Sequence, residues 1–242
     1  MSAQPSRPAP GHALALLAAV ALAGWSALTF RTAYLHWGAT TEESRELLPG
    51  DELVPDPGLV ATRAITIEAL PEAVWPWVIQ IGADRGGFYS YDRLENLAGC
   101  RLRSADSVVD EWQHLAPGDA VRLHPQVALT VVAVDPGHSL VLRGAPPSGG
   151  DGPAPDVPYD FTWSFVLRRH PHLATRLITR ERFGYTHRWS PLLVEPVAAA
   201  SALMSQKMLR GMRDRAERQP GDPASTAAPS RTGTETFRPR AK

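Results

Sequence analysis

The stretch VATRAITIEALPEAVW, residues 60–75, decides the fold. From Val60 to Glu68, Ile65 and Ile67 alternate with Thr66 and Glu68, the period of a half-buried strand. Pro71 follows at a place where a first helical turn tolerates a missing N–H, although Leu70 is a poor N-cap. A helix is therefore expected from Pro71 to Ile81. Val74, Val78 and Ile81 form one stripe with Trp75 or Trp77 beside it, Pro76 bends it, and Gly82 ends it.

Downstream the period stays near two. Asp119–His124, Ala128–Asp135 and Ser139–Arg143 read as strands of an antiparallel meander, separated by turns at Pro117-Gly118 and Pro136-Gly137. Asp160–Arg169 is the clearest strand, with Phe161, Trp163, Phe165 and Leu167 on one face and Thr162, Ser164 and Arg168 on the other. Thr175–Tyr185 is its expected partner across His170-Pro171-His172. A helix is expected from about Glu195 to Arg218, where Val197, Ala200, Met204, Met208 and Met212 recur at spacings of three and four. Its basic end, Arg210, Arg213, Arg215 and Arg218, agrees with the helix dipole. Strands followed by one long amphipathic helix suit an α+β fold in which a curved antiparallel sheet grips that helix.

The ends of the chain are different in kind. Ala13–Phe30 carries no charge and approaches the roughly 20 residues that cross a bilayer as helix. It reads as a transmembrane anchor; the competing reading is an export signal cleaved after Ala21-Leu22-Ala23, and a third is a soluble helix. Trp25, Tyr34 and Trp37 suit an interfacial aromatic belt, but the few basic residues on either side do not choose an orientation. Residues 1–12 and 219–242 are Pro-rich or polar with little to bury, and disorder is expected there. Residues 31–59 read as a linker holding a short helix at Thr41-Glu42-Glu43-Ser44. Once leader and tail are subtracted, roughly 150 to 165 residues remain, one ordinary domain, here 60–218.

With 25 basic and 25 acidic residues there is no net field to attract nucleic acid. The single cysteine, Cys100, excludes an internal disulfide and any cysteine-based metal cluster. Hydrolase elbows, zinc-protease and P-loop motifs are missing from the sequence. Gly82-x-x-x-Gly86-Gly87 follows a helix rather than a strand and reads as a turn, not a phosphate cradle, and Gly86 to Gly99 reads as a Gly turn followed by a short helix that Gly99 closes. Asp92 with Glu95, and Asp110 with Glu111, are paired acids that ordinary solvated charge explains; the scattered histidines read as surface residues, since a metal site at His170 and His172 would need two further ligands.

The opening strand with Pro71-Glu72-Ala73-Val74-Trp75, the turn Gly86-Gly87-Phe88-Tyr89-Ser90-Tyr91, the aromatic strand around Trp163 and the closing helix together resemble the SRPBCC superfamily, helix-grip proteins that include START lipid carriers, Bet v 1 allergens and polyketide cyclase or dehydrase-like proteins. The resemblance spans about Val60 to Arg218 and implies a hydrophobic cavity between the long helix and the concave sheet. Such a cavity would be lined by Trp163, Phe165, Met204 and Met208, with Tyr89 and Tyr91 near its mouth; such a stripe is more often core packing than ligand contact. On Thr175–Tyr185 the arginines Arg176, Arg180 and Arg182 alternate with Leu177, Thr179, Glu181 and Phe183, so only one of Arg180 and Glu181 faces the cavity, and either needs a partner if buried.

The expectation is a membrane-anchored domain that binds or carries a hydrophobic small molecule such as a lipid, polyketide or isoprenoid, with no cofactor, no metal and no assigned catalytic residue. A cyclase or dehydrase-like enzyme using Tyr91, Asp92 or Glu181, and a non-enzymatic membrane-associated module, are the alternatives. Oligomeric state is left open.

Overall fold

The computed structural model describes residues 22, 25–26, 28–91, 103–144 and 157–218. Residues 28–35 are helical, and helix α1 follows at Thr41–Arg45, then strand β1 at Leu59–Ile67 and helix α2 at Pro71–Ile79. Next come β2 (Ala120–His124), β3 (Val127–Asp135), β4 (Ser139–Gly144), β5 (Tyr159–His170), β6 (Ala174–Tyr185) and the terminal helix α3 (Ser190–Ala216). The six strands form one curved antiparallel sheet in the order β1-β6-β5-β4-β3-β2. The opening strand therefore returns to pair with the last one, from Leu59 opposite Phe183 to Ile67 opposite Thr175. Register shifts near Arg122 in β2–β3 and near Val131 in β3–β4 are bulges of the kind that bend strands.

The β5–β6 hairpin is paired along its full length, from Tyr159 opposite Tyr185 to His170 opposite Ala174. Its alternation sends Trp163, Phe165, Leu167, Leu177 and Phe183 to the inner face with Leu140 and Leu142 of β4. Helix α3 lies on that face against β1 and β6 and meets α2. Met208, Leu209 and Met212 are buried there. This is the helix-grip arrangement that the resemblance implied.

Helix α3 begins at Ser190, earlier than the expected start near Glu195. Pro191 stands in its first turn, where a proline N–H is not missed, and Pro196 lies within the helix. Ser190 anchors this start, its hydroxyl accepting from the His187 N–H and donating to the Pro158 carbonyl.

The outer face of the sheet is not bare. Residues 31–59, expected as a linker, cross the β1 edge and lie over the sheet. The Ala64 N–H donates to the Trp37 carbonyl at 3.1 Å, which satisfies an edge group of β1. The approach at Gly38 is so close that a Cβ there would stand 2.1 Å from the Ala64 carbonyl oxygen, and its φ is +71°. Helix α1 is closed by a reciprocal capping box between Thr40 and Glu43. Leu48 then packs on Ala64, Val166 and Ile178, a small core on the outer side of the sheet.

No helix among the described residues is long and apolar enough to cross a membrane, and the run Ala13–Phe30 lies mostly outside them. The expected short helix with Asp92 and Glu95, Cys100, the insertion at 145–156 and the ends 1–12 and 219–242 also lie outside the described residues.

Candidate functional site

The inner face of the sheet is apolar at both ends and ionic in the middle. One core gathers around Ile65, Phe165, Leu177, Met208 and Met212; a second gathers around Leu59, Ala61, Phe183, Val194 and Ala198. Between them sit Arg63 of β1, fully buried, and Glu181 of β6, 3% exposed. Arg63 Nη1 donates to Glu181 Oε1 at 2.9 Å and to Ser205 Oγ at 3.3 Å, and Nε donates to the Tyr34 carbonyl at 3.1 Å. From α3 above, the hydroxyls of Ser201 and Ser205 donate to the same Glu181 oxygen, at 2.8 and 3.1 Å.

The three bonds that reach Glu181, from Arg63, Ser201 and Ser205, all end on Oε1. Glu181 Oε2 is equally buried and has no hydrogen-bond partner among the described residues. A buried acceptor left unmade costs about 1–3 kcal/mol, more when charged, so a native fold that keeps one is a place where a donor from outside the chain would be favoured. The helix residues above this layer, Ala198, Ser201, Ala202 and Ser205, are all small, and the Arg63 guanidinium lies against Ser205 and the Ala198 carbonyl.

Beside the pair, the Trp163 indole N–H donates to Thr179 Oγ1 at 2.8 Å, and Thr179 in turn donates to the Ser164 carbonyl. Trp163 thereby has its polar edge satisfied within the sheet. Its ring lies 4.7 Å from Phe165 and 6.4 Å from Phe88, centroid to centroid, so the Gly-rich turn does reach the aromatic strand. In that turn Gly82 and Gly87 pair with each other and the Gly86 N–H is taken by the Gln80 carbonyl, which consumes the amides a phosphate would need.

The sequence-derived residues divide. Trp163, Phe165, Glu181 and Met208 are brought together on the inner side. Tyr89 is buried, but its ring packs edge-on against Trp77 and lies under the Arg215 guanidinium at 4.9 Å; burial pushes its phenol above the usual range. Its φ of +56° is in the left-handed region. Tyr91 is exposed, and Met204, 37% exposed, turns partly to the surface while Met208 turns inward.

Arg180 must be corrected as a cavity residue. Strand parity places it on the outer face, where it is buried by the segment that crosses there. Its guanidinium donates to Asp51 Oδ2 at 2.6 Å, to Thr62 Oγ1, and to the carbonyls of Glu43 and Glu46. Arg176 is held by Glu43 and the Gly38 carbonyl, and Arg182 by the Val54 carbonyl and Asp51. Arg63 escaped the sequence reading altogether, though its parity with Ile65 and Ile67 put it on the inner face of β1.

Asp110 and Glu111 are exposed in a short 3-10 turn, and no group of three or more His, Cys, Asp or Glu among the described residues is placed to hold a metal ion. An open groove of about 400 Å³ lies between α2 and β3, lined by Trp75, Ile79, Leu115 and Val134 among others. It is three strands away from Glu181 and includes none of the residues around it.

No protein-family model matches the chain, and no curated protein matches it. Similar solved structures include the hypothetical protein jhp0584 from Helicobacter pylori, 14% identical, covering 74% of this chain and 99% of that one with a TM-score of 0.48. Ara h 8.0201 is 14% identical over 65% of this chain and 97% of its own, with a TM-score of 0.39. MLL2253 from Mesorhizobium loti is 16% identical over 64% and 97%, with a TM-score of 0.37. At these scores the likenesses carry no argument about function, and the helix-grip assignment rests on strand order, register and the docked terminal helix.

Proposed function

We propose that this chain binds a hydrophobic small molecule with one hydrogen-bond donor, a lipid, polyketide or isoprenoid alcohol being the fitting class, between the inner face of the sheet and α3, and that the run Ala13–Phe30 holds it at a membrane. One observation carries the reading: a buried carboxylate oxygen, Glu181 Oε2, unpartnered beneath small helix residues and flanked by the aromatic strand. The apolar body of the ligand would lie along Trp163, Phe165 and Met208, and its donor on Oε2. A carboxylate ligand fits less well, since it would meet Glu181 charge to charge.

Displacement of a fluorescent lipid probe from the detergent-solubilised full chain tests this. A long-chain alcohol should compete about tenfold better than its methyl ether, the equivalent of about 1.4 kcal/mol and within reach of one hydrogen bond to a charged group. The Glu181→Leu variant should lose that preference. Absence of probe binding, together with a native mass spectrum free of apolar adducts, would sink the proposal.

A further inference from the structure

Helix α3 is two helices in chemical character. From Trp189 to Gln206 its only charged residue is Glu195, and that carboxylate is bound by Arg31 and by the Tyr34 hydroxyl. From Lys207 onward it carries Arg210, Arg213, Asp214, Arg215 and Glu217. The sheet-facing stripe of the first part, Val194, Ala198, Ala202 and Ser205, is buried as an amphipathic helix requires. The opposite stripe should be polar and is not. Leu192 is 81% exposed and Leu203 64%, with Trp189, Leu193 and Val197 exposed between and beside them.

The neighbour of this stripe identifies its occupant. The helix over residues 28–35 continues the uncharged run that begins at Ala13, and Arg31, the first charge after that run, is clamped to Glu195 with its Nε and Nη2 on the carboxylate at 2.6–3.1 Å. Tyr34 bonds the same carboxylate at 3.0 Å. The end of the apolar run is thus fastened to the apolar part of α3, and not to its charged part. Trp25, Leu28 and Phe30 are exposed in the same way as Leu192. A surface that is apolar on both of two joined helices, and that stops where the charges of α3 begin, matches the depth profile of a bilayer interface.

We infer that the outward stripe of α3 from Trp189 to Met204 is a lipid-contacting surface, lying in the interfacial layer of the same membrane that takes the run Ala13–Phe30. The inference rests on the proposed anchoring and extends it. The domain is not tethered loosely but laid down on α3, with the Glu181 layer on the other side of the helix from the lipid. A hydrophobic ligand would then pass between bilayer and binding layer around one helix.

The test uses the full chain with Cys100→Ser, reconstituted in phosphatidylcholine vesicles. Single cysteines are introduced by Leu192→Cys, Leu203→Cys, Trp25→Cys or Leu173→Cys, each labelled with an environment-sensitive fluorophore and challenged with nitroxide-bearing lipid. All four positions are exposed, and Leu173 lies at the far tip of the β5–β6 hairpin. Labels at 192 and 203 should be quenched several-fold more than the label at 173. If they are quenched no more than 173 while the label at 25 is quenched, anchoring stands and the α3 surface is overturned. Lipid quenching at 192 and 203 without quenching at 25 supports the surface and overturns the run as anchor. Disulfide dimers of the unlabelled Leu192→Cys variant, with no lipid quenching of its labelled form, would assign the stripe to a second copy and overturn the inference.

Discussion

Arg63 and Glu181 show how one pair can divide an apolar core. Two charges at this depth have a large desolvation cost, and several hydrogen bonds are needed to offset it. Arg63 obtains them from Tyr34, Ser205 and Glu181, while Glu181 gathers its donors on one oxygen only. Removing a single partner should therefore be worse than removing both. Arg63→Met is expected to lower stability by about 3–5 kcal/mol, and the double variant Arg63→Met, Glu181→Leu to recover most of that loss, by chemical denaturation. Equal losses in the single and double variants would contradict the division described here. Gly211 is constrained by space instead: a Cβ there would stand 2.3 Å from the Tyr89 carbonyl oxygen. Backbone cannot yield as a flexible side chain does. Gly211→Ala should destabilise by about 1–3 kcal/mol through overpacking, seen as a lower thermal midpoint.

At the scale of elements, the strands and helices were legible because burial imposed their periods. The alternation in β1, β5 and β6 follows from an apolar inner face set against a more polar outer face, and the stripe of α3 from one face packing and one not; the expected bounds differ from those found by a few residues at most, apart from the start of α3. The segment over the outer face was not legible. Many of its contacts are made by backbone carbonyls, those of Gly38, Glu43, Glu46 and Val54, which leave no mark on hydrophobic period. Three arginines on one face of β6, together with Glu43 and Asp51 in the supposed linker, were the available signal. The contact between α1 and β6 also has a pH signature. The Arg176 guanidinium, bonded to both oxygens of Glu43, holds that carboxyl down to about 2 from its ordinary value near 4.5. A depressed carboxyl stabilises the fold above the unfolded value, and this contribution disappears as pH falls from about 4.5 to about 2. Glu43→Gln should cost about 1.5–3 kcal/mol at neutral pH and flatten the loss of stability over that interval, read from urea midpoints against pH. An unchanged slope would mean that Arg176 does not hold this carboxyl.

For the whole molecule, these contacts lead us to propose a folding unit that begins before residue 60. The opening strand suggested a domain beginning at residue 60, yet the outer face of the sheet presents Arg180, 2% exposed, and Arg182 to partners that, Thr62 apart, precede that point. A chain cut to start at Gly58 would keep every strand and α3 while stripping Asp51 and the carbonyls from these guanidiniums. It would also remove Leu48 from Ile178 and the Tyr34 carbonyl from Arg63. Breaking one buried pair costs about 3–5 kcal/mol, against a total stability of about 5–15 kcal/mol for a typical protein, so these losses together should exceed what the remaining core supplies. A chain starting at Arg31 keeps all of them, including the clamp of Arg31 and Tyr34 on Glu195. Cooperative urea unfolding is therefore expected for the chain from Arg31 and not for the chain from Gly58, and comparable transitions in the two would show that the sheet and α3 fold without their outer cover.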